Sequence, residues 1–233
     1  MCHDFGIPVL VDGAHAAGQI ELDIGAVGCD FYVGNCHKWL CGPRGSGFLW
    51  AAEEWHATLT PPVSSHGHGN GYLSEFIWDG ARDYAALLAV PETIALWREY
   101  GRENSDTAPA RSTHFRHMEQ NVATRQRASS LLEEAWGIQE EHRFAPDSLH
   151  EAMGLVPLPA SLHSALRRQK GAEAGAALDS SDAKWVQDAL HAVRVECPIK
   201  ALQGKLFCRI SAHVYNSDQE YEALAIAVDG LAP

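Results

Sequence analysis

The sequence predicts an α/β chain: part of a larger domain built on a mostly parallel sheet, followed by a small α+β C-terminal domain. Three observations lead there. Residues 7–11 (IPVLV), 31–34 (FYVG) and 48–50 (FLW) are short continuous apolar runs with polar or glycine-rich tips, as expected of strands inside a largely parallel sheet. Residues 103–110 are polar with a proline, which suits a junction. Beyond them helical and strand-like patterns follow in the order helix, strand, helix, strand, helix. The expected domains are residues 1–102 and 103–233.

In order, residues 1–6 read as the end of a helix, so the chain is not expected to start where a domain starts. The first strand runs into Asp12, Gly13, Ala14, His15 and Ala16; residues 18–30 form a loop or short crossover before the second strand. That strand ends in GNCHK, then turns through Gly42, Pro43, Gly45 and Gly47 into the third. Residues 64–71 (SSHGHGNG) have the composition of a loop. A helix opens near Asp83, supported by Leu87, Leu88, Val90, Ile94 and Leu96, with Pro91 kinking or dividing it.

In the second domain residues 113–136 form a long helix with Phe115, Met118, Val122, Leu131, Leu132 and Trp136 buried. Residues 153–158 are a strand, 164–181 a solvated helix with a variable loop, and 185–193 a further helix. Residues 207–215 are a strand and 218–231 an amphipathic closing helix.

The composition bounds function. With 233 residues, 46% hydrophobic and 21% charged, the chain can bury a sizeable core. Its net charge of -12 argues against nucleic acid or an anionic membrane as partner. No apolar run reaches the roughly 18 residues of a membrane span, and no targeting peptide is visible. Six cysteines without a C-x-x-C pair read as reduced thiols, hence a cytoplasmic expectation. The histidines of the loop and Cys36, His37 and Cys41 match no zinc spacing, so no metal is expected.

The candidate chemistry lies at strand tips, where open α/β sheets bind ligands. Lys38 is either a solvated loop lysine or an amine whose surroundings let it attack a carbonyl. Asp12 either caps the next helix or meets a cation. Arg209, inside an apolar strand, needs a carboxylate from the protein or from a ligand. His213 and Asn216 read as a satisfied core histidine and a turn residue.

Five motifs occur together: VDGAHA (11–16), GNCHKWLCGPRGSGFLW (34–50), SHG (65–67), WDGARDYAALLAVP (78–91) and RISAHVYN (209–216). In that order they resemble the class V aminotransferase family of pyridoxal-phosphate enzymes, its isopenicillin N epimerase-like branch most closely, over the C-terminal part of such proteins. The resemblance implies PLP-dependent transferase fold type I and pyridoxal 5'-phosphate as cofactor. Lys38 matches the lysine that bonds the cofactor aldehyde and then shuttles a proton, and Asp12 the acid beside the ring nitrogen. His15 matches the position that hydrogen-bonds the phenolic oxygen, while Asn35 and His37 line the phosphate end and the lysine. Arg209 matches the arginine that holds the substrate carboxylate. The family is also expected to act as a homodimer on an amino-acid substrate.

Two departures bear on this. Ala81 stands where the family usually has a threonine that donates to the phosphate, a bond worth about 1.5 to 3 kcal/mol. The family also has roughly as much chain again before the VDGAHA strand, with the phosphate-cradling helix. The expectation is therefore an N-terminally truncated enzyme acting at the α-carbon, as epimerase, aminotransferase-like enzyme or carbon–sulfur lyase, whose isolated chain binds cofactor weakly or not at all. The alternative is a non-catalytic truncated paralogue or partner subunit. Cysteine desulfuration proper needs a nucleophilic cysteine on a mobile loop, and Cys36 and Cys41 flank Lys38 instead.

Overall fold

The computed structural model describes residues 1–103, 116–171, 173 and 175–231, and divides into two compact units, Met1–Arg116 and His117–Pro233. The junction expected at 103–110 lies almost wholly outside the described residues.

In the first unit, β1 (Leu10–Asp12), β2 (Phe31–Asn35) and β3 (Gly47–Ala51) form a sheet in that order. β1 starts later than the apolar run because Pro8 has no N–H to donate to a ladder; β2 joins it through Phe31 N–H to Val9 O, 3.1 Å. β1 and β2 are parallel, with Asp12 opposite Val33, and α1 (Ile24–Val27) lies in their crossover, capped by Asp23. β3 runs antiparallel to β2, because residues 36–46 turn back on themselves with no crossover helix.

The buried-strand reading of the first run does not hold in this structure: Leu10 is 60% exposed and Asp12 is exposed too. β1 is an outer strand with a neighbour on one side, so its apolar residues gain no cover from the described sheet.

After α2 (Tyr72–Ile77) the chain divides at Ala89 into α3 (Ala85–Leu88) and α4 (Val90–Glu103). Pro91 sits in the first turn of α4, where its missing N–H costs nothing. Leu87, Leu88, Ile94 and Leu96 are exposed and Trp97 is buried. Periodicity identified an apolar face, but not what covers it.

In the second unit, β4 (Met153–Pro157), β5 (Ile199–Leu202) and β6 (Lys205–Ser211) form an antiparallel sheet of order β4-β6-β5. Four helices, α5 (Arg116–Trp136), α6 (Ala160–Gln169), α7 (Ser180–Ala192) and α8 (Asp218–Asp229), contribute to its core with Leu132, Leu162, Val186 and Val228. Asp179 and Ser217 open α7 and α8 with capping boxes.

Three expectations are corrected here. β5 was not foreseen; it joins β6 through Gln203 and Gly204, both at positive φ (50° and 75°), a tight hairpin without the usual Asn-Gly signal. α6 starts at Ala160 and buries Leu162, His163, Ala165 and Leu166, so it is not a solvated helix. α5 buries His117, Asn121, Thr124, Arg125, Ala128, Leu132 and Trp136 rather than Met118, Val122 and Leu131, which are half-buried. Phe115 lies outside the described residues. Arg125 can be buried because its guanidinium donates to Asp147, to Glu151 O at 2.8 Å and to His150 O at 3.0 Å.

Candidate active site

Parallel pairing brings the C-terminal tips of β1 and β2 to one end of the sheet. Gly13 N–H donates to Val33 O at 2.9 Å, continuing the ladder one residue past Asp12. A Cβ on Gly13 would lie 2.0 Å from the Tyr32 hydroxyl, so only glycine lets this buried ring pack beneath the tip. Tyr32 stacks with Phe48 (6.3 Å between centroids), and burial raises its phenol pKa.

Asp12 Oδ1 accepts from Ala14 N–H at 3.0 Å. This is an Asx turn over residues that form turns and bridges, so the helix-capping alternative does not apply. His15 is exposed; its backbone is pinned by Gln19 Nε2–H donating to His15 O at 2.7 Å.

Beyond β2 the chain folds tightly. Cys41 N–H reaches Lys38 O (3.0 Å) and Gly42 N–H reaches Cys36 O (2.8 Å), leaving Lys38 half-buried at the head of the turn. Asn35 is the half-buried last residue of β2. The His37 ring donates from Nδ1 to Ser46 O at 2.7 Å. Cys36 is buried, which pushes its thiol pKa up and makes it a poor nucleophile.

The two tip loops are joined. The Trp39 indole N–H donates to His15 Nδ1 at 3.1 Å, and Trp97 Nε1–H donates to Leu40 O at 2.8 Å. Gly18, at φ 84°, permits the approach, since a Cβ there would meet Leu40 N and Trp39 C at 2.9 Å. Asp12, His15, Asn35, His37 and Lys38 thus share one end of the sheet, and the ion pairs among the described residues leave both Asp12 and Lys38 out.

Arg209 belongs to the second unit, in the middle strand β6 opposite Leu155. It is half-buried, its Nε is buried without a hydrogen-bond partner, and no carboxylate pairs with it among the described residues. Among the described residues an internal salt bridge, one of the two readings of this residue, is therefore not made. His213 is buried and its Nδ1 accepts from Val214 N–H at 2.9 Å, while Asn216 closes the following turn. In the histidine-rich loop, His68 pairs with Glu75 at 3.1 Å and His66 stacks on Trp78.

With this geometry in view, residues 1–81 match the family model described as Aminotransferase class-V. Over these residues the chain is similar to the class V aminotransferases. It is 31% identical to the putative L-cysteine desulfhydrase 2 of Oryza sativa subsp. japonica, over 98% of this chain and 47% of the relative. It is 29% identical to the isopenicillin N epimerase of Amycolatopsis lactamdurans, over 97% of this chain and 53% of the relative. The apo cysteine desulfurase of Thermococcus onnurineus NA1 shares the fold, with a TM-score of 0.67 at 21% identity over 99% of this chain and 54% of that one. The chain therefore has the fold type I architecture in part, an α/β unit with a partial sheet and an α+β unit, and it spans about half the length of the relatives it matches.

The sequence reading assigned no role to Trp39, Gly13, Gly18 or Tyr32, although Trp39 and Gly13 lie within the quoted motifs. Trp39 adjoins Lys38, but its bond spans 24 residues and has no periodic signature. The close contacts of the two glycines come from tertiary packing, which the sequence does not display.

Proposed function

We propose that this chain supplies the lysine, acid and arginine of a pyridoxal 5'-phosphate enzyme acting at the α-carbon of an amino acid. The observation that carries this is the convergence at one sheet end of Asp12 and Lys38, neither in an ion pair among the described residues, with His15 tied to the lysine's neighbour. The donor set fits the cofactor: a carboxylate for a ring nitrogen, an amine for an aldehyde, and a ring N–H for a phenolic oxygen. The orphaned Nε of Arg209 fits an anionic ligand, since a buried unpaired guanidinium nitrogen costs free energy until an acceptor reaches it.

Bound pyridoxal 5'-phosphate supplies an electron-withdrawing aldehyde conjugated to a pyridine ring. Asp12, whose Oδ1 is engaged with Ala14 N–H, would offer its other carboxylate oxygen to the ring nitrogen and favour a proton there. Lys38 Nζ would hold the cofactor through its aldehyde carbon and would be the amine that moves a proton at the substrate α-carbon. Arg209, in the second unit, would offer its guanidinium to a carboxylate such as that of the substrate. Asn35 and His37 line the lysine and the phosphate end. In functional terms residues 1–102 hold the cofactor and 103–233 the substrate carboxylate.

Carbon–sulfur cleavage is favoured by the desulfhydrase relative and epimerisation by the other, and the residues named above would serve either reaction. The free state of all six cysteines suits a cytoplasmic setting, and the exposed apolar side chains Leu73, Ile77, Leu88 and Leu96 suit a homodimer. A second reading, a non-catalytic chain without cofactor, is favoured by Ala81, which has no hydroxyl for a phosphate.

The test is borohydride reduction of the cofactor-loaded protein from its native source, followed by peptide mapping. A pyridoxyl mark on Lys38, absent in Lys38→Ala, is expected; no mark, or one on another lysine, overturns the reading. Product analysis for racemised amino acid against pyruvate and sulfide separates the two reactions.

A further inference from the structure

We propose that Trp39, the residue after Lys38, is a positioning residue: its indole N–H holds His15 with Nδ1 as acceptor, so that the neutral ring carries its donor on Nε2 at the strand tips. What that donor meets rests on the function proposed above; the tautomer itself does not.

The argument begins with hydrogen-bond inventory. An indole nitrogen only donates, and a neutral imidazole has one donor and one acceptor nitrogen. The 3.1 Å contact between Trp39 Nε1 and His15 Nδ1 therefore requires an unprotonated Nδ1. The neutral ring then carries its proton on Nε2.

The energetic asymmetry favours this arrangement. Trp39 is 7% exposed, so its one polar atom needs an acceptor inside the protein, whereas His15 is exposed. The buried partner thus dictates the state of the exposed one. Both ends are braced without any ligand: Gln19 Nε2–H binds His15 O at 2.7 Å, Trp97 Nε1–H binds Leu40 O at 2.8 Å, and Gly18 leaves room for the Trp39–Leu40 backbone.

A donor set in advance suits an oxygen that carries negative charge, because no reorganisation is needed when the oxygen arrives. The opposite tautomer would turn a lone pair toward that oxygen. Packing alone would ask only for an aromatic ring at position 39, which phenylalanine also provides.

The test uses nitrogen-15-labelled protein without cofactor. Expected is a through-hydrogen-bond coupling between Trp39 Nε1 and His15 Nδ1, with the Nδ1 resonance at its unprotonated limit. In Trp39→Phe the coupling disappears and the Nδ1 resonance moves toward the averaged value of a free imidazole. His15→Ala provides a second reading that does not depend on Trp39→Phe keeping the fold; His15 is exposed, and its loss is expected to speed solvent exchange of the Trp39 indole proton. Absence of the coupling in the unaltered protein, or an Nδ1 resonance that Trp39→Phe leaves in place, overturns the proposal. With pyridoxal 5'-phosphate added, Trp39→Phe is expected to bind it roughly tenfold more weakly while Lys38 stays the marked residue. Unchanged affinity overturns the cofactor-facing half of the proposal. Absence of any mark on Lys38 in the unaltered protein overturns the cofactor reading instead, and the tautomer result stands apart from it.

Discussion

Acidification from pH 7 to pH 5 is expected to weaken the second unit through one buried histidine. His163 lies on the inner face of α6, 8% exposed, and its Nε2 accepts from Leu206 N–H at 3.0 Å. Burial, reinforced by the Arg167 charge, holds its pKa down at about 4, against 6.5 for the ordinary group. The unfolded chain therefore binds a proton first as pH falls, and stability is full above about 6.5 and lost on the way down to about 4. At about 1.4 kcal/mol per pKa unit the whole window is worth about 3 kcal/mol, and the part between pH 7 and pH 5 about 2 kcal/mol. His163→Gln keeps an acceptor oxygen but does not titrate. Hydrogen exchange of the slow β6 amides, corrected for the intrinsic pH dependence, reports the stability of this unit. The unaltered protein is expected to lose about 2 kcal/mol more than His163→Gln over this range. Equal losses in the two proteins would refute the reasoning, because the remaining titrating groups are common to both.

Further outcomes follow from other contacts. Gly13→Ala forces a Cβ against the Tyr32 hydroxyl and is expected to cost about 1 to 3 kcal/mol, read as a lower thermal midpoint of the first unit with altered tyrosine fluorescence. Arg125→Met removes the cation bound by Asp147, Glu151 O and His150 O; a loss of about 2 to 3 kcal/mol and faster proteolysis within residues 138–152 are expected. Asp30 accepts from Val9 N–H and the Trp55 indole and pairs with His3, which holds its carboxyl pKa down at about 2. Its contribution is thus present above about 3.8 and lost as pH falls through about 2, so Asp30→Asn is expected to flatten the acid limb of a stability–pH curve.

Local patterns carried much of the fold into view. Apolar runs located β2 and β3, and 3.6-residue periodicity located α4, α5, α7 and α8. Where side chains differ from expectation, the cause is a partner distant in sequence. Arg125 is buried because acceptors 22 to 26 residues later close over it. β5 needed its partner strand to be seen, because Gln203–Gly204 is a weak turn signal and residues 199–202 are too short to declare themselves. The first apolar run looked like an interior strand by composition, yet an outer strand position leaves Leu10 at the surface.

The candidate site divides along the same line. By itself the sequence determined which chemical groups are available: a carboxylate after one strand, an amine after the next and an arginine within a third, because strand ends and glycine turns are encoded by neighbouring residues. The tertiary structure alone decided how they are held. Parallel pairing of β1 with β2 brings Asp12 and Lys38 to one end of the sheet, the Trp39–His15 bond selects an imidazole tautomer, and Arg209 is left with a buried nitrogen lacking an acceptor. Those outcomes depend on groups far apart in the chain meeting at hydrogen-bond distance, a condition that spacing along the sequence does not express.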